Sequence, residues 1–285
     1  MRRKKIQVVV VTYNHEKYIA QAITNALGQQ GEFEIEVMVF DDASTDKTRE
    51  VVMEIANNDD RVKLFTNAKN IMLEKNLQKA LSHIDSDYFA FCEGDDFWTN
   101  KFKLQEQMNM LEEKHSLIMN YHHVLYFNQE TGEKSLNKVQ LKTNKDVMTL
   151  EDVIVSYPIR NFSSCFYRGS LLDKVNPNIF GMYMADWLFH IETARYGQIG
   201  VIRTPMSQYR VHGTSLWSSM TVKEKLNKNI EMAKMYNKFY GYQYNDLFSR
   251  CIASYEKDLK AIGNVVNGST LGKAAAVAAA VAAIV

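Results

Sequence analysis

Hydrophobic positions follow two periods in turn along the first third of the chain. Ile6 to Val11 is a β-branched run broken only by Gln7, the pattern of a strand buried on both faces. After Thr12, Tyr13 and Asn14 the period changes. Tyr18, Ile19, Ala22, Ile23, Ala26 and Leu27 fall on one helical stripe, with Gly31 behind it. Ile35 to Phe40 predicts a second strand that ends in Asp41 and Asp42. Ser44 then stands as N-cap of a helix with Val51, Val52 and Ile55 on its apolar face. Val62 to Phe65 predicts a short third strand. A helix through Leu77, Ala80, Leu81 and Ile84 leads to a fourth strand, Tyr88 to Cys92, and another helix follows over Lys103 to Glu113.

This alternation predicts an α/β fold, a mostly parallel sheet sandwiched by helices. Ligands of such sheets sit at the carboxyl ends of the strands. Those ends carry Thr12-Tyr13-Asn14, Asp41-Asp42 and Glu93-Gly94-Asp95-Asp96. The first strand is followed by neither GxGxxG nor GxxxxGK[ST], which argues against an ordinary dinucleotide or P-loop site. Carboxylates converging in one cleft would repel a diphosphate unless a hard divalent cation stood between them. Asp41-Asp42 alone would be explained as a turn with a helix cap, and Phe97-Trp98 alone as core packing. Two acidic clusters at two strand ends of one unit weaken the first explanation.

Charge narrows the partners. Lys and Arg total 34 against 33 Asp and Glu, which disfavours nucleic acid as a partner. Cys92, Cys165 and Cys251 are odd in number and far apart, so neither a zinc knuckle nor a disulfide framework is expected, and a reducing, cytoplasmic setting is. Val8 to Val11 is too short for a signal-peptide core, and no apolar run is long enough to span a bilayer. The Ala- and Val-rich stretch 274–285 carries no functional weight.

The strings VVVVTYNHEKYIAQAITNAL, VFDDASTDKT and FCEGDDFW, in that order and spacing, resemble the family 2 glycosyltransferases of the GT-A fold. The resemblance runs over roughly residues 5 to 217 and implies a Rossmann-like nucleotide-binding half (1–98), an acceptor-binding half (99–220), and a helical extension (221–285) beyond the catalytic domain. It implies an inverting transfer from a UDP-sugar to a glycan, lipid-linked or protein-linked acceptor, assisted by Mn2+ or Mg2+. Thr12, Tyr13 and Asn14 would meet the nucleotide, with Tyr13 stacking on the base, and Asp42 would bind the uracil edge. Asp95 and Asp96 fall at the DxD-type position, Asp96 for the metal and Asp95 for the ribose or donor sugar. Glu93 stands where a strict motif has Asp, so Glu93 or Asp95 can share the metal.

The second half should supply acceptor recognition and a base. Residues 120–146 read as a strand, a hairpin around Thr131-Gly132 and a variable loop, and Phe162 to Tyr167 as another strand. Met184 to Leu188 opens a helix that continues through Ile191, Ala194 and Arg195. The resemblance puts the general base just before such a helix, at Asp186, although a helix-capping role would suit that residue too. It places Tyr209 to Trp217 on a late loop: His212 at the metal or diphosphate, Arg210 against leaving-group charge, Trp217 on a sugar or in the core.

Residues 222–273 hold nine Lys and Arg against five Asp and Glu. Met232, Met235, Tyr236 and Phe239 share one helical stripe, followed by Tyr240, Tyr242, Tyr244 and Phe248. The stripe predicts helices packed on the catalytic domain, or a basic surface touching the membrane. Two other functions fit part of the pattern. A nucleotidyltransferase would need a Gly- and Lys/Arg-rich loop after the first strand, where TYNHEKY stands. A non-catalytic sugar-nucleotide or glycan-binding module would be favoured by loss of Asp96 or Asp186, and both are present.

Overall fold

The computed structural model describes residues 2–136, 144–159, 161–183, 185–213, 217 and 220–266. Its first half repeats strand and helix: β1 (Lys4–Thr12), α1 (Ile19–Leu27), β2 (Phe33–Asp41), α2 (Thr48–Asn58), β3 (Val62–Thr66), α3 (Leu73–Leu81) and β4 (Tyr88–Glu93). β1 lies between β2 and β4 and parallel to both. Its side chains alternate between the two faces of the sheet. Val8 and Val10 join Ile19, Ala22, Ile23 and Val52 on one face, while Val9 and Val11 join Leu77, Ala80 and Leu81 on the other. Residues 6–12 of β1 are therefore buried throughout. The register sets Thr12 opposite Asp41 and Val11 opposite Glu93, so three polar strand ends lie level at one edge.

The second half adds β5 (Phe97–Trp98), α4 (Lys103–Glu113), β6 (Leu117–Asn128), β7 (Lys134–Leu136), β8 (Val147–Met148), α5 (Leu150–Ser156), β9 (Cys165–Arg168), α6 (Ala185–Ala194) and β10 (Gln198–Val211). The sheet order is β3-β2-β1-β4-β9-β6-β10-β5, with β7 on β6 and β8 on β10. β6 and β10 are parallel, and β9 runs antiparallel between β4 and β6.

Three local expectations change, the third being the late loop, whose Tyr209, Arg210 and Val211 lie in β10. Ser44 does not cap α2, which starts at Thr48 without a side-chain cap. Its hydroxyl instead donates to Asp41 and accepts from Asn14 N–H, because this loop must close against the end of β1. Phe162 to Ser164 is a 3-10 turn before β9, since Ser163 Oγ and the Ser163 carbonyl are taken by Asp96 and Trp98. β10 escapes the apolar pattern because Arg203-Thr204-Pro205 interrupts it. The ladder with β6 shifts register between Ile202 and Ser207, absorbing those residues as a bulge. The hairpin near Gly132 forms between β6 and β7, and most of the loop after it lies outside the described residues.

α7 (Val222–Phe239) starts with a capping box between Thr221 and Glu224, and α8 (Asn245–Val266) returns along it. Met232 and Tyr236 are buried, and Met235 and Phe239 pack partly buried against the same core as α3 and α6. The aromatic stripe thus faces inward. Among the described residues no helix is long and apolar enough to cross a membrane. The 274–285 stretch lies outside the described residues.

One buried cation sits under the sheet. Lys103 is fully buried, 4.0 Å from the Trp98 ring centroid, and donates to Gln107 at 2.7 Å. Burial pushes its ammonium down from 10.5 to about 7. Between those pH values the unfolded chain holds a proton that the folded chain releases, so this group makes stability rise with pH. Its penalty is fully present below about 7. Lys103→Met should therefore stabilise the protein at pH 6 by ~1–3 kcal/mol, after the lost Gln107 bond is discounted, and by much less above pH 10. Urea unfolding of both proteins across this range measures it; parallel stability–pH curves would show that Lys103 does not titrate there.

Candidate active site

The site begins with two loops laced together by side chains. Asn14, at φ 58° in the left-handed region that Asn tolerates, accepts from Thr45 N–H at 2.8 Å, and its own N–H bonds Ser44 Oγ at 2.9 Å. His15 N–H donates to Thr48 Oγ1 at 2.8 Å. Asp42 is buried beside Thr12, its N–H donating to the Thr12 carbonyl at 2.9 Å. Its Oδ1 accepts from Asn67 Nδ2 and Ile71 N–H at 2.8 and 2.9 Å. Thr12 is also buried, with Oγ1 3.2 Å from His15 Nδ1, whereas the Tyr13 ring is 42% exposed and free to stack on a base.

The end of β4 comes very close to this loop. A Cβ on Gly94 would stand 2.7 Å from Thr12 Oγ1 and 2.8 Å from His15 Nδ1, so only glycine fits between the two acids of the motif. The two aspartates beyond it then diverge. Asp96 turns inward and is buried, with Oδ2 accepting from Asn161 Nδ2 at 2.8 Å and Ser163 Oγ at 2.7 Å, and Oδ1 from Arg210 N–H at 3.0 Å. Burial and the charge of Asp95 push its carboxyl up to about 7, against these three bonds. Asp95 turns the other way. Its Oδ2 lies 3.0 Å from His212 Nε2 and 3.8 Å from His15 Nε2. Burial works against its charge, yet the His212 bond and the two imidazoles hold it below the usual carboxylate range. Glu93 bonds Asn161 and is driven well up by burial and by Asp96, Asp95 and Asp186.

The metal role expected of Asp96 meets a carboxylate with both oxygens engaged by protein donors. Asp95 and His212 are the O and N donors that meet in the cleft. Among the described residues there is no group of three or more His, Cys, Asp or Glu placed to hold a metal. Two protein donors suit a cation that takes its remaining ligands from phosphate and water. A recess of about 360 Å3 opens beside His212, between the Asn14–Tyr18 loop and Gln129-Glu130.

Arg210, expected against leaving-group charge, is engaged by the protein itself. Its guanidinium donates to the Asp95 carbonyl at 2.7 Å, to Gln21 at 2.7 Å and to Gln129. It is held between the Tyr18 and Phe97 rings, 4.6 and 4.7 Å from their centroids, and so props the Asp95 turn. Trp217 packs on the core beside Lys225. Asp186, in the first turn of α6, accepts from Tyr157 Oη at 2.9 Å, and its charge reaches Glu93. Tyr157 ends α5 at φ 37°, and its ring stacks on Trp187.

Thr12, Tyr13, Asn14, Asp42, Asp95 and His212 thus share one edge of the sheet, and the charge of Asp186 reaches Glu93 beside it. Arg210 and Asp96 lie beneath as supports. Sequence reasoning missed His15, which stood in the TYNH string as a histidine three residues past a strand end. Asn161, Ser163 and Tyr157 gave no signal, because only tertiary structure brings them in.

The profile described as glycosyl transferase family 2 matches residues 7–175. An uncharacterized protein of Mycobacterium tuberculosis is 30% identical over 217 residues, covering 75% of this chain and 61% of that one. The chain thus spans about three fifths of the length of the curated relatives it matches. In fold it is similar to S. aureus TarS 1–349, solved in complex with UDP-GlcNAc (TM-score 0.67, 18% identity, 99% of this chain and 82% of that one). It is also similar to the mannosyltransferase PcManGT from Pyrobaculum calidifontis, solved with GDP-Man and Mn2+ (TM-score 0.58, 16% identity, 99% and 81%). With a GT-A type sheet, an acidic turn closed over Gly94 and a profile match across more than half its length, the chain belongs to glycosyl transferase family 2.

Proposed function

We propose that this protein transfers a sugar from a UDP-sugar to a hydroxyl of a glycan, free or linked to lipid or protein, with inversion at the anomeric carbon. The observation that carries the reading is the Asp95–His212 pair, set at the carboxyl edge of the sheet, with the charge of Asp186 reaching Glu93 of the same turn. Tyr13 and Asp42 take the base, and the loop held by Asn14 closes beside them. Asp95 and His212 would hold a divalent cation, whose charge offsets that of the departing diphosphate. An imidazole donor favours Mn2+ over Mg2+ at such a pair.

Asp186 acts as the base. It accepts the proton of the acceptor hydroxyl while the oxygen–C1 bond forms, the C1–phosphate oxygen bond breaks, and the electron pair leaves with the diphosphate. Tyr157 orients the carboxylate by its hydrogen bond. Asp96 binds no ligand in this account. It brackets the turn that presents Asp95.

The two aspartates should respond oppositely to substitution. Asp95→Ala should lose the Mn2+-dependent part of UDP binding, with stability changed by less than about 1 kcal/mol. Asp96→Ala should lose on the order of 2 kcal/mol of stability, because three donors lose their acceptor. Calorimetric titration with UDP, with and without Mn2+, and urea unfolding measure both; metal-dependent UDP binding that survives in Asp95→Ala would move the cation elsewhere. Asp186→Asn should keep UDP affinity and lower the transfer rate by ~10²–10⁴-fold. Unchanged turnover in a donor-hydrolysis or transfer assay would remove Asp186 from the chemistry.

A further inference from the structure

A basic and aromatic face lies beside the candidate base. Lys225 and Lys228 stand three residues apart near the start of α7, on neighbouring positions of its surface. Lys228 Nζ lies 4.3 Å from the centroid of the Tyr183 ring, and Lys225 Nζ lies 5.9 Å from that of Trp217. Tyr183 is 42% exposed and precedes Asp186 by three residues. Farther along α7, Tyr236 donates to the Tyr183 carbonyl at 2.9 Å and packs edge-on to Trp187. The charge of Asp186 reaches its phenol. The lysine–aromatic face and the base therefore belong to one patch.

Among the described residues neither lysine has a buried carboxylate partner. Lys225 is 8% exposed, and burial alone lowers its pKa, with no carboxylate opposing the effect. Among the described residues the carboxylate that Lys228 meets is Glu231 of its own helix, at 3.4 Å, whose side chain is 68% exposed. Ion pairs of that kind contribute little. Burying an ammonium without a partner is costly, and an incoming anion would offset that cost.

We propose that this face receives the acceptor, and that the acceptor carries an anionic group, phosphate or carboxylate, near its reactive hydroxyl. The inference rests on the transferase reading for the role of Asp186. Tyr183 offers an apolar ring for a sugar or polyol face, the lysines offer charge for the anion, and Asp186 takes the hydroxyl.

Three probes of equal length test it: a glycerol-phosphate oligomer, a glucuronate-containing oligosaccharide and a neutral oligosaccharide. Each is titrated calorimetrically into the full chain, with and without UDP. One anionic probe should bind about tenfold or more tighter than the neutral one and weaken as salt rises. Which of the two does so distinguishes phosphate from carboxylate. Lys228→Gln should lose about tenfold in that affinity while UDP affinity stays unchanged, and Lys228→Arg should keep most of it. Lys228 is partly exposed, so these variants should fold; Lys225→Met provides a second test. Equal binding of neutral and anionic probes, no binding of any probe, or indifference to Lys228→Gln would each overturn the inference. UDP titration reads the donor site separately, so failure there counts against the transferase reading while the probes still decide the face.

Discussion

The buried carboxylate of Asp96 is the constraint from which the site takes its shape. It joins three separate pieces of chain: the turn after β4, the 3-10 turn that holds Asn161 and Ser163 beside it, and the backbone of β10 at Arg210. An acid in that position is costly to bury, and the cluster around it raises the cost further, as its carboxyl at about 7 shows. Three donors hold it there. With Asp96 fixed below, Asp95 turns outward toward His212. Arg210 completes the arrangement from behind, with its guanidinium on the Asp95 carbonyl and its faces covered by Tyr18 and Phe97.

Glycine at position 94 belongs to the same logic. The acidic turn has to lie against Thr12 and His15, and any side chain at 94 would meet both. The first two strand ends and the fourth then form a single rim. The sheet supplies its rigidity through buried β-branched residues on both sides of β1, and the loops supply its chemistry through hydrogen bonds between Asn14, Ser44 and Thr45. Scaffold and site are thus made by different interactions. A substitution at Val9 acts on folding, whereas the proposed function makes Asp95 a residue whose substitution acts on binding.

That division explains what could be read from the sequence. β1, β2 and β4 were legible because burial on both faces leaves continuous apolar runs, and the acids at their ends were legible because such sheets bind ligands there. The membership of Tyr13, Asp42, Asp95 and His212 in one region followed from the same pattern and the family resemblance. The separate roles of Asp95 and Asp96 did not. Which of two neighbours faces the cleft is decided by Asn161 and Ser163, 65 and 67 residues away. Arg210 read as a free cation because its partners Gln21 and Gln129 lie far off in sequence. β10 was hidden by its bulge, and Ser44 served a loop contact in place of a cap.

The central claim is that Asp95 and His212 together form the protein's share of a cation site completed by the donor's phosphates. Electron spin echo spectroscopy of Mn2+ added to the protein with UDP tests it most directly, since a bound imidazole leaves a nitrogen coupling on the metal. The account predicts that coupling in the presence of UDP, its loss in His212→Ala, and little Mn2+ binding without nucleotide. A Mn2+–UDP complex on the protein with no imidazole nitrogen, or one that His212→Ala leaves unchanged, would contradict it.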